Sequence, residues 1–277
     1  MGRAVPEKCE GGMTIRPGIE FANLSDIGCH REENEDSLAY WEPETEEQFR
    51  QKGRLAVIAD GMGGYEGGQQ ASSLAVKTVC EVYEGSTERD PQTALVQGLQ
   101  LAHTRIQEYA RQHPGFLGMG TTCTAISLRE HDLYFAHVGD SRLYLVRGAT
   151  ISRLTRDHSY VGRLVESGLL APEQAESHPQ RNVLTAALGI GIELTPQSPV
   201  QPIALEANDV LVLCTDGLWG QVRDDELKRA ATSKSPGEAC HTLIELARQR
   251  GGPDNITVQV MRVAANGAGN LASGVSP

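Results

Sequence analysis

Several short apolar runs in this chain end at an aspartate or begin just after one, and no other feature restricts its possible folds as tightly. Leu55-Ala56-Val57-Ile58-Ala59 leads directly into Asp60 and Gly61, and Val210 to Thr215 leads into Asp216 and Gly217. Leu133 to Val138 is followed by Gly139 and Asp140, while Asp254 and Asn255 precede a run that starts at Ile256. A further acidic stretch, Glu35-Asp36, lies within Arg31-Glu32-Glu33-Asn34-Glu35-Asp36-Ser37. Apolar runs of this length read as strands. The fold must therefore bring its core strands to margins where acidic chain ends can converge.

A single Asp-Gly at a strand exit is ordinary turn chemistry, because aspartate bonds its own backbone and glycine supplies positive φ. Repetition at the ends of distinct apolar segments asks for more. Carboxylates brought together repel and raise one another's pKa, so a cluster is tolerable when cations lie between them. Hard oxygen donors select Mg²⁺ or Mn²⁺. Two such ions about 3.5–4 Å apart can hold a bridging hydroxide and clamp a phosphate. The glycines of Gly61-Met62-Gly63-Gly64 and Gly67-Gly68 lack the lysine and hydroxyl of a nucleotide loop, and read as a tight turn beside the site. HExxH, GxSxG and the kinase signature set are all missing, which ranks metal-assisted hydrolysis above nucleophilic catalysis.

The remaining periodicities predict both strands and helices. Cys123 to Leu128 and Leu133 to Val138 read as a hairpin closed around Arg129 to Asp132. Arg142 to Arg147 alternates Leu143 and Leu145 against Tyr144 and Val146, and Ile256 to Val263 puts Ile256, Val258 and Val260 on one face. One helical face carries Ala71, Leu74, Ala75, Thr78, Val79 and Val82. A second carries Leu95, Leu99, Ala102, Ile106 and Tyr109 behind Asp90-Pro91, and a third follows Ser235-Pro236 with Ala239, Leu243, Leu246 and Ala247. Strands adjoin strands and helices fall in their own stretches, so the predicted class is α+β with antiparallel sheets. Thr155 to Leu188 is polar, contains Pro172 and Pro179, and reads as an insertion near a binding site.

The 277 residues suffice for one domain with a large core, predicted over 19–263 between flexible tails at 1–18 and 264–277. A net charge of −11 argues against nucleic acid or an anionic membrane as partner. No apolar run reaches the length of a membrane span, and the start lacks the apolar stretch of a secretory signal. The six cysteines form no CxxC pair, as expected of reduced thiols in a cytoplasmic protein rather than disulfides or a zinc site.

Taken in order, Ser25-Asp26-Ile27-Gly28 with Arg31 to Ser37, Ala59-Asp60-Gly61-Met62-Gly63-Gly64, Gly120-Thr121-Thr122, Val138-Gly139-Asp140-Ser141-Arg142, Thr215-Asp216-Gly217-Leu218-Trp219 and Asp254-Asn255-Ile256-Thr257 resemble the PPM/PP2C family of metal-dependent Ser/Thr phosphatases, in its bacterial branch. The resemblance covers about Ser25 to Val263. It implies a four-layer α-β-β-α sandwich with two central antiparallel sheets and a metal cleft at one edge. It also implies two core Mn²⁺ or Mg²⁺ ions. Asp60 would bridge them, Asp216 and Asp254 would complete the first site, and Glu35 with the Gly61 carbonyl would serve the second. Asp36 would hold water, Arg31 would bind phosphate, and Asp140 with Asp216 would match a third ion. The stretch 155–188 resembles the family's flap. The implied reaction is in-line attack by a metal-bridging hydroxide on phosphoserine or phosphothreonine, with no phosphoenzyme. The implied partners are phosphorylated proteins, a bacterial Ser/Thr kinase and its substrates among them, met by a monomer. One position departs from the wider family: Met62 stands where many eukaryotic members carry a histidine proposed as general acid. His158, in Asp157-His158-Ser159, reads as structural. A non-catalytic binding module would be expected to have lost ligand carboxylates; all are present here.

Overall fold

In the computed structural model, which describes residues 16–63, 67–175 and 178–265, the strands form two antiparallel sheets. One runs β1 (Ile19–Asp26), β11 (Ile256–Val263), β10 (Val210–Cys214), β7 (Arg142–Arg147), β8 (Thr150–Arg153). The other runs β2 (Asp36–Trp41), β3 (Arg54–Met62), β5 (Cys123–Arg129), β6 (Asp132–Val138), β9 (Ile203–Ala204), and the short β4 (Gly120–Thr121) pairs with the end of β3. Helices α2 (Gly67–Gly85) and α3 (Pro91–Gln112) cover the second sheet, and α7 (Asp224–Ser233) and α8 (Pro236–Gln249) cover the first. The shorter α1 (Glu46–Lys52), α4 (Tyr160–Glu166), α5 (Pro172–Ala175) and α6 (Asp216–Trp219) lie in the connections. This is the four-layer α-β-β-α sandwich.

Strand alternation builds it. Successive side chains point to opposite faces, so each central strand feeds two cores. Leu143 and Leu145 of β7 enter the core between the sheets, while Tyr144 and Val146 pack under α7 and α8. Leu211 and Leu213 of β10 join the same inner core, and Val210, Val212 and Cys214 face the helices. On β3, Ala56 and Ile58 face inward, whereas Leu55, Val57 and Ala59 meet α2 and α3. Counting on by two from Ala56 and Ile58 puts Asp60 on the inner face. The same count puts Thr215 beyond Leu213 and Asp36 beyond Tyr40 on that face. The inner core therefore turns from apolar to acidic and hydroxylic at one end of the sandwich.

The helix starts follow the sequence signals. Asp90 caps α3 by accepting from the N–H groups of Gln92 (3.2 Å) and Thr93 (3.1 Å). Ser235 and Glu238 form a reciprocal capping box at α8. The hairpin is tighter than its residues suggest: Arg129 pairs with Asp132, leaving Glu130 and His131 as the turn, with Glu130 at φ 55°. The strand expected over Val210 to Thr215 ends at Cys214, because Thr215 caps α6 and Asp216 is already helical. The spans 1–15 and 266–277, most of the expected tails, lie outside the described residues. Arg16, assigned by sequence to a tail, is tied to the body through its N–H to Glu42 (2.8 Å) and its guanidinium to Glu46 (2.7 Å).

The 155–188 segment is anchored at both ends. Thr155, Ala187 and Leu188 are buried, Ser159 bridges to Leu184, and Leu188 bridges to Thr121. Leu169 and Val183, between the anchors, are exposed. The five cysteines among the described residues are free thiols, and among the same residues no helix is long and apolar enough to cross a membrane.

The inner core holds the two sheets together, and with them the acidic margin. Leu213→Ala, which empties a fully buried site there, should cost about 2–5 kcal/mol in urea unfolding. A loss within experimental error would show that the sheets do not depend on this layer.

Candidate metal centre

Each acid reaches the margin on a different element, and each is fixed by its own backbone. Asp60, near the end of β3, lies opposite Asp36, the first residue of β2, in direct register. The Asp60 N–H donates to Thr122 Oγ1 (2.9 Å), and its carbonyl accepts from Thr121 Oγ1 (2.8 Å) and the Thr122 N–H (2.8 Å). Asp216 sits in the first turn of α6 and Asp140 in the three-residue loop between β6 and β7. Asp254 and Glu35 come from loops that Asn255 binds together. Its Oδ1 accepts from the Glu35 N–H (2.8 Å), and its Nδ2 donates to the carbonyls of Ile27 (3.0 Å) and Glu33 (2.9 Å). The Glu35 carbonyl accepts in turn from the Gly61 N–H (3.2 Å) and Ser72 Oγ (2.6 Å).

The glycines make this approach possible. A Cβ on Gly61 would lie 2.1 Å from the Gly68 carbonyl oxygen, and one on Gly68 would lie 2.4 Å from Glu35 Oε1. With neither present, the start of α2 closes on Glu35, and the Gly68 N–H bonds its carboxylate. A carboxylate suits a helix N-terminus.

The electrostatics are those of crowded anions. Burial first, then Asp36, Asp216, Asp140 and Asp254, push the Asp60 carboxyl well above its ordinary range. Asp216 lies within hydrogen-bonding reach of Asp60 and is raised to about 6 by burial and by Asp254. Burial and Asp216 raise Asp140 to about 8. Asp36 is raised to about 7 by burial, although the Thr257 and Thr215 hydroxyls donate to its Oδ2 at 2.6 and 2.9 Å. Burial also raises Glu35, against the pull of Arg31. Arg31 spans the mouth, its guanidinium 2.7 Å from Asp254 and 3.8 Å from Glu35, with 46% of the side chain exposed.

The donor set tests whether cations fit. Asp36 Oδ1 and Asp216 Oδ1 are buried without a protein hydrogen-bond partner, an unusual state that a coordinated ion relieves. All the converging donors are oxygens, the chemistry of Mg²⁺ and Mn²⁺. Among the described residues no three His, Cys, Asp or Glu side chains stand close enough to enclose one ion unaided.

A sequence model described as protein phosphatase 2C matches residues 32–243. The chain belongs to this family. It is 36% identical over 245 residues to the serine/threonine protein phosphatase PstP of Mycobacterium tuberculosis, covering 88% of this chain and 45% of PstP. It thus spans about half the length of that relative. It is 33% identical over 248 residues to the protein phosphatase PhpP of Streptococcus pneumoniae, covering 88% and 97% of the two chains. A crystal structure of the PstP catalytic domain in complex with two manganese ions superimposes with a TM-score of 0.77 at 33% identity, over 89% of this chain and 99% of that one.

As a protein phosphatase 2C member, the chain brings together every acid that its sequence singled out. What the sequence left unremarked is the frame around them: Asn255 as the tie between two loops, and Thr121, Thr122, Thr215 and Thr257 as hydroxyl props. All five stood inside quoted motifs, but nothing in residue type alone separates a prop from a surface group.

With divalent ions chelated, Asp36, Asp140 and Asp216 hold protons in the native state that the unfolded chain releases near 3.8. The native state then binds more protons between that value and about 8, so stability falls as pH rises across the window. The melting temperature in EDTA should drop from about pH 5 to about pH 8, and Asp216→Asn should flatten the drop. Equal slopes for the variant and the natural chain would contradict the crowding.

Proposed function

We propose that this protein is a metal-dependent phosphatase that hydrolyses phosphoserine and phosphothreonine in proteins. The observation that carries the reading is the gathering of six acids from five separate stretches of chain at one margin of the sandwich, two of their buried oxygens lacking any protein partner. A basic side chain, Arg31, lies across the opening. The relatives, named as serine/threonine and protein phosphatases, support the same class.

In this reading Asp60, Asp216 and Asp254 would hold one ion, Asp60, Glu35 and the Gly61 carbonyl would hold a second, and Asp140 with Asp216 would hold a third. Bound Mn²⁺ or Mg²⁺ would acidify water and neutralise phosphate charge. The chain's own groups orient the substrate and handle its protons. Arg31 is half exposed and held by one strong contact to Asp254, so its guanidinium can turn to a pair of phosphoryl oxygens, for which its planar fork is shaped. Asp36 has one oxygen fixed by two threonines, which leaves Oδ1 to accept a proton from water. Met62 has no proton to give, and among the described residues no histidine hydrogen-bonds any of the acids. The proton taken up by the departing serine or threonine oxygen then falls to water or to another group of the site.

The partners in this reading are phosphorylated proteins, including a Ser/Thr kinase and its substrates in a cytoplasmic signalling pathway, and the working unit is a monomer. The 155–188 segment, anchored at Thr121 beside Asp60 and at Gly139 beside Asp140, would adjoin the bound phosphoprotein.

Phosphate release from a phosphothreonine peptide should require added Mn²⁺ and stop with EDTA. Asp60→Asn should lower kcat by at least about a hundredfold while keeping the far-UV circular dichroism of the natural chain. Release that is indifferent to metal, or natural turnover in Asp60→Asn, would overturn the assignment.

A further inference from the structure

The Asp140 loop is only three residues long, and residues distant in sequence hold its backbone. Gly139 takes φ 109°, and a Cβ there would lie 2.5 Å from Thr122 Cγ2, so the loop crosses closely over the Asp60 support. The Asp140 carbonyl accepts from Trp219 Nε1 (2.9 Å), and Ser141 Oγ meets Thr122 Oγ1 (2.8 Å). Both sides of the Gly139 residue are claimed by His158. The His158 N–H donates to the Gly139 carbonyl (2.7 Å), and His158 Nδ1 accepts from the Gly139 N–H (3.1 Å). Since Nδ1 accepts, the ring proton of His158 is on Nε2.

His158 also anchors the 155–188 segment. Its carbonyl accepts from the Thr185 N–H (2.7 Å), and next to it the Tyr160 N–H donates to the Val183 carbonyl (2.7 Å). Its neighbour Asp157 takes a two-pronged contact from Arg142, Nε at 3.1 Å and Nη2 at 2.7 Å, and Arg142 lies 3.6 Å from the centre of the Trp219 ring. The ring of a second histidine, His137, stands 5.1 Å away and bonds the carbonyls of Gly139 (3.0 Å) and Arg156 (3.1 Å). The loop and the base of the segment are thus stitched at three successive residues, 156, 157 and 158.

We propose that His158 is a positioning residue: by clasping Gly139 through Nδ1 and its own N–H, it aims the Asp140 carboxylate and couples that aim to the 155–188 segment. His158 itself touches neither substrate nor cation. The inference rests on the reading of Asp140 as a cation ligand. Side chains that orient a metal ligand are worth roughly 10–100-fold in metal affinity when lost. A residue serving only the fold would instead lower the melting temperature and leave the response to metal unchanged.

The test uses the full chain and Mn²⁺ alone, followed by isothermal titration calorimetry and by the melting temperature against Mn²⁺ concentration. His158→Leu keeps bulk but removes the acceptor, whereas His158→Asn offers a side-chain oxygen near the place of Nδ1. The weakest Mn²⁺ step should shift to about tenfold higher concentration in His158→Leu and return toward the natural value in His158→Asn. Adding His158→Leu to Asp140→Asn should cost nothing beyond Asp140→Asn itself, because both act through one carboxylate. An unchanged Mn²⁺ response in His158→Leu, equal impairment in both histidine variants, or an additive double variant would overturn the proposal. So would a His158→Leu chain that cannot fold while His158→Asn folds with a shifted Mn²⁺ response. If the natural chain showed no Mn²⁺ response, the metal reading would fail and this one with it. A normal response there with no change in His158→Leu would remove this inference alone.

Discussion

Like charges held in a protein interior repel, and this repulsion is the constraint around which the acidic margin is organised. Two carboxylates about 4 Å apart in surroundings of effective dielectric 20 oppose each other by about 4 kcal/mol. That is a large share of the 5–15 kcal/mol by which a typical domain is stable, on the order of a third of it. The acids here are not positioned by mutual attraction. They are carried to one place by elements whose positions are settled elsewhere: β3 and β10 by the core between the sheets, α2 by its own packing on the second sheet, and the Asp254 loop by Asn255. Apolar burial supplies the free energy, and the margin draws on it.

Several devices within the chain offset the repulsion in part. The Thr215 and Thr257 hydroxyls donate to one oxygen of Asp36, the start of α2 faces Glu35, and Arg31 bonds Asp254. None of these hydrogen-bonds Asp60, which four other aspartates surround, or the buried Oδ1 of Asp216, and Arg31 acts on both only through its charge. What remains unbalanced lies at the centre of the cluster. Divalent cations bound there would convert the least favourable charges in the fold into ligands, and phosphate would find positive charge at a site that is otherwise strongly acidic.

Much of this was legible from sequence because the two signals involved are local. Strand alternation in Arg142–Arg147 and Ile256–Val263 sorts side chains between cores as the periodicity predicts. The acids stand out because aspartate rarely ends one apolar run after another by chance. β1 and β2 were not legible: every residue of β2 is only half buried, so its sequence lacks the contrast that alternation needs. Helix α7 escaped notice because its apolar face is small, resting on Leu227, Ala230 and Ala231. The same limit applies to the props. Thr122 matters through a hydroxyl that meets Ser141 and the Asp60 N–H at once, a conjunction of three distant segments that no spacing in the chain encodes. His158 read as structural for the same reason, since its partner Gly139 lies nineteen residues away.

The most direct measurement of the central claim is anomalous diffraction at the manganese edge from crystals of this protein grown with Mn²⁺. The account predicts two strong peaks at the sandwich margin, one between Asp60, Asp216 and Asp254 and one between Asp60 and Glu35, with Arg31 displaced from Asp254. Peaks confined to other surfaces, or a margin in which Arg31 still bridges Asp254 and Glu35 at saturating Mn²⁺, would contradict it.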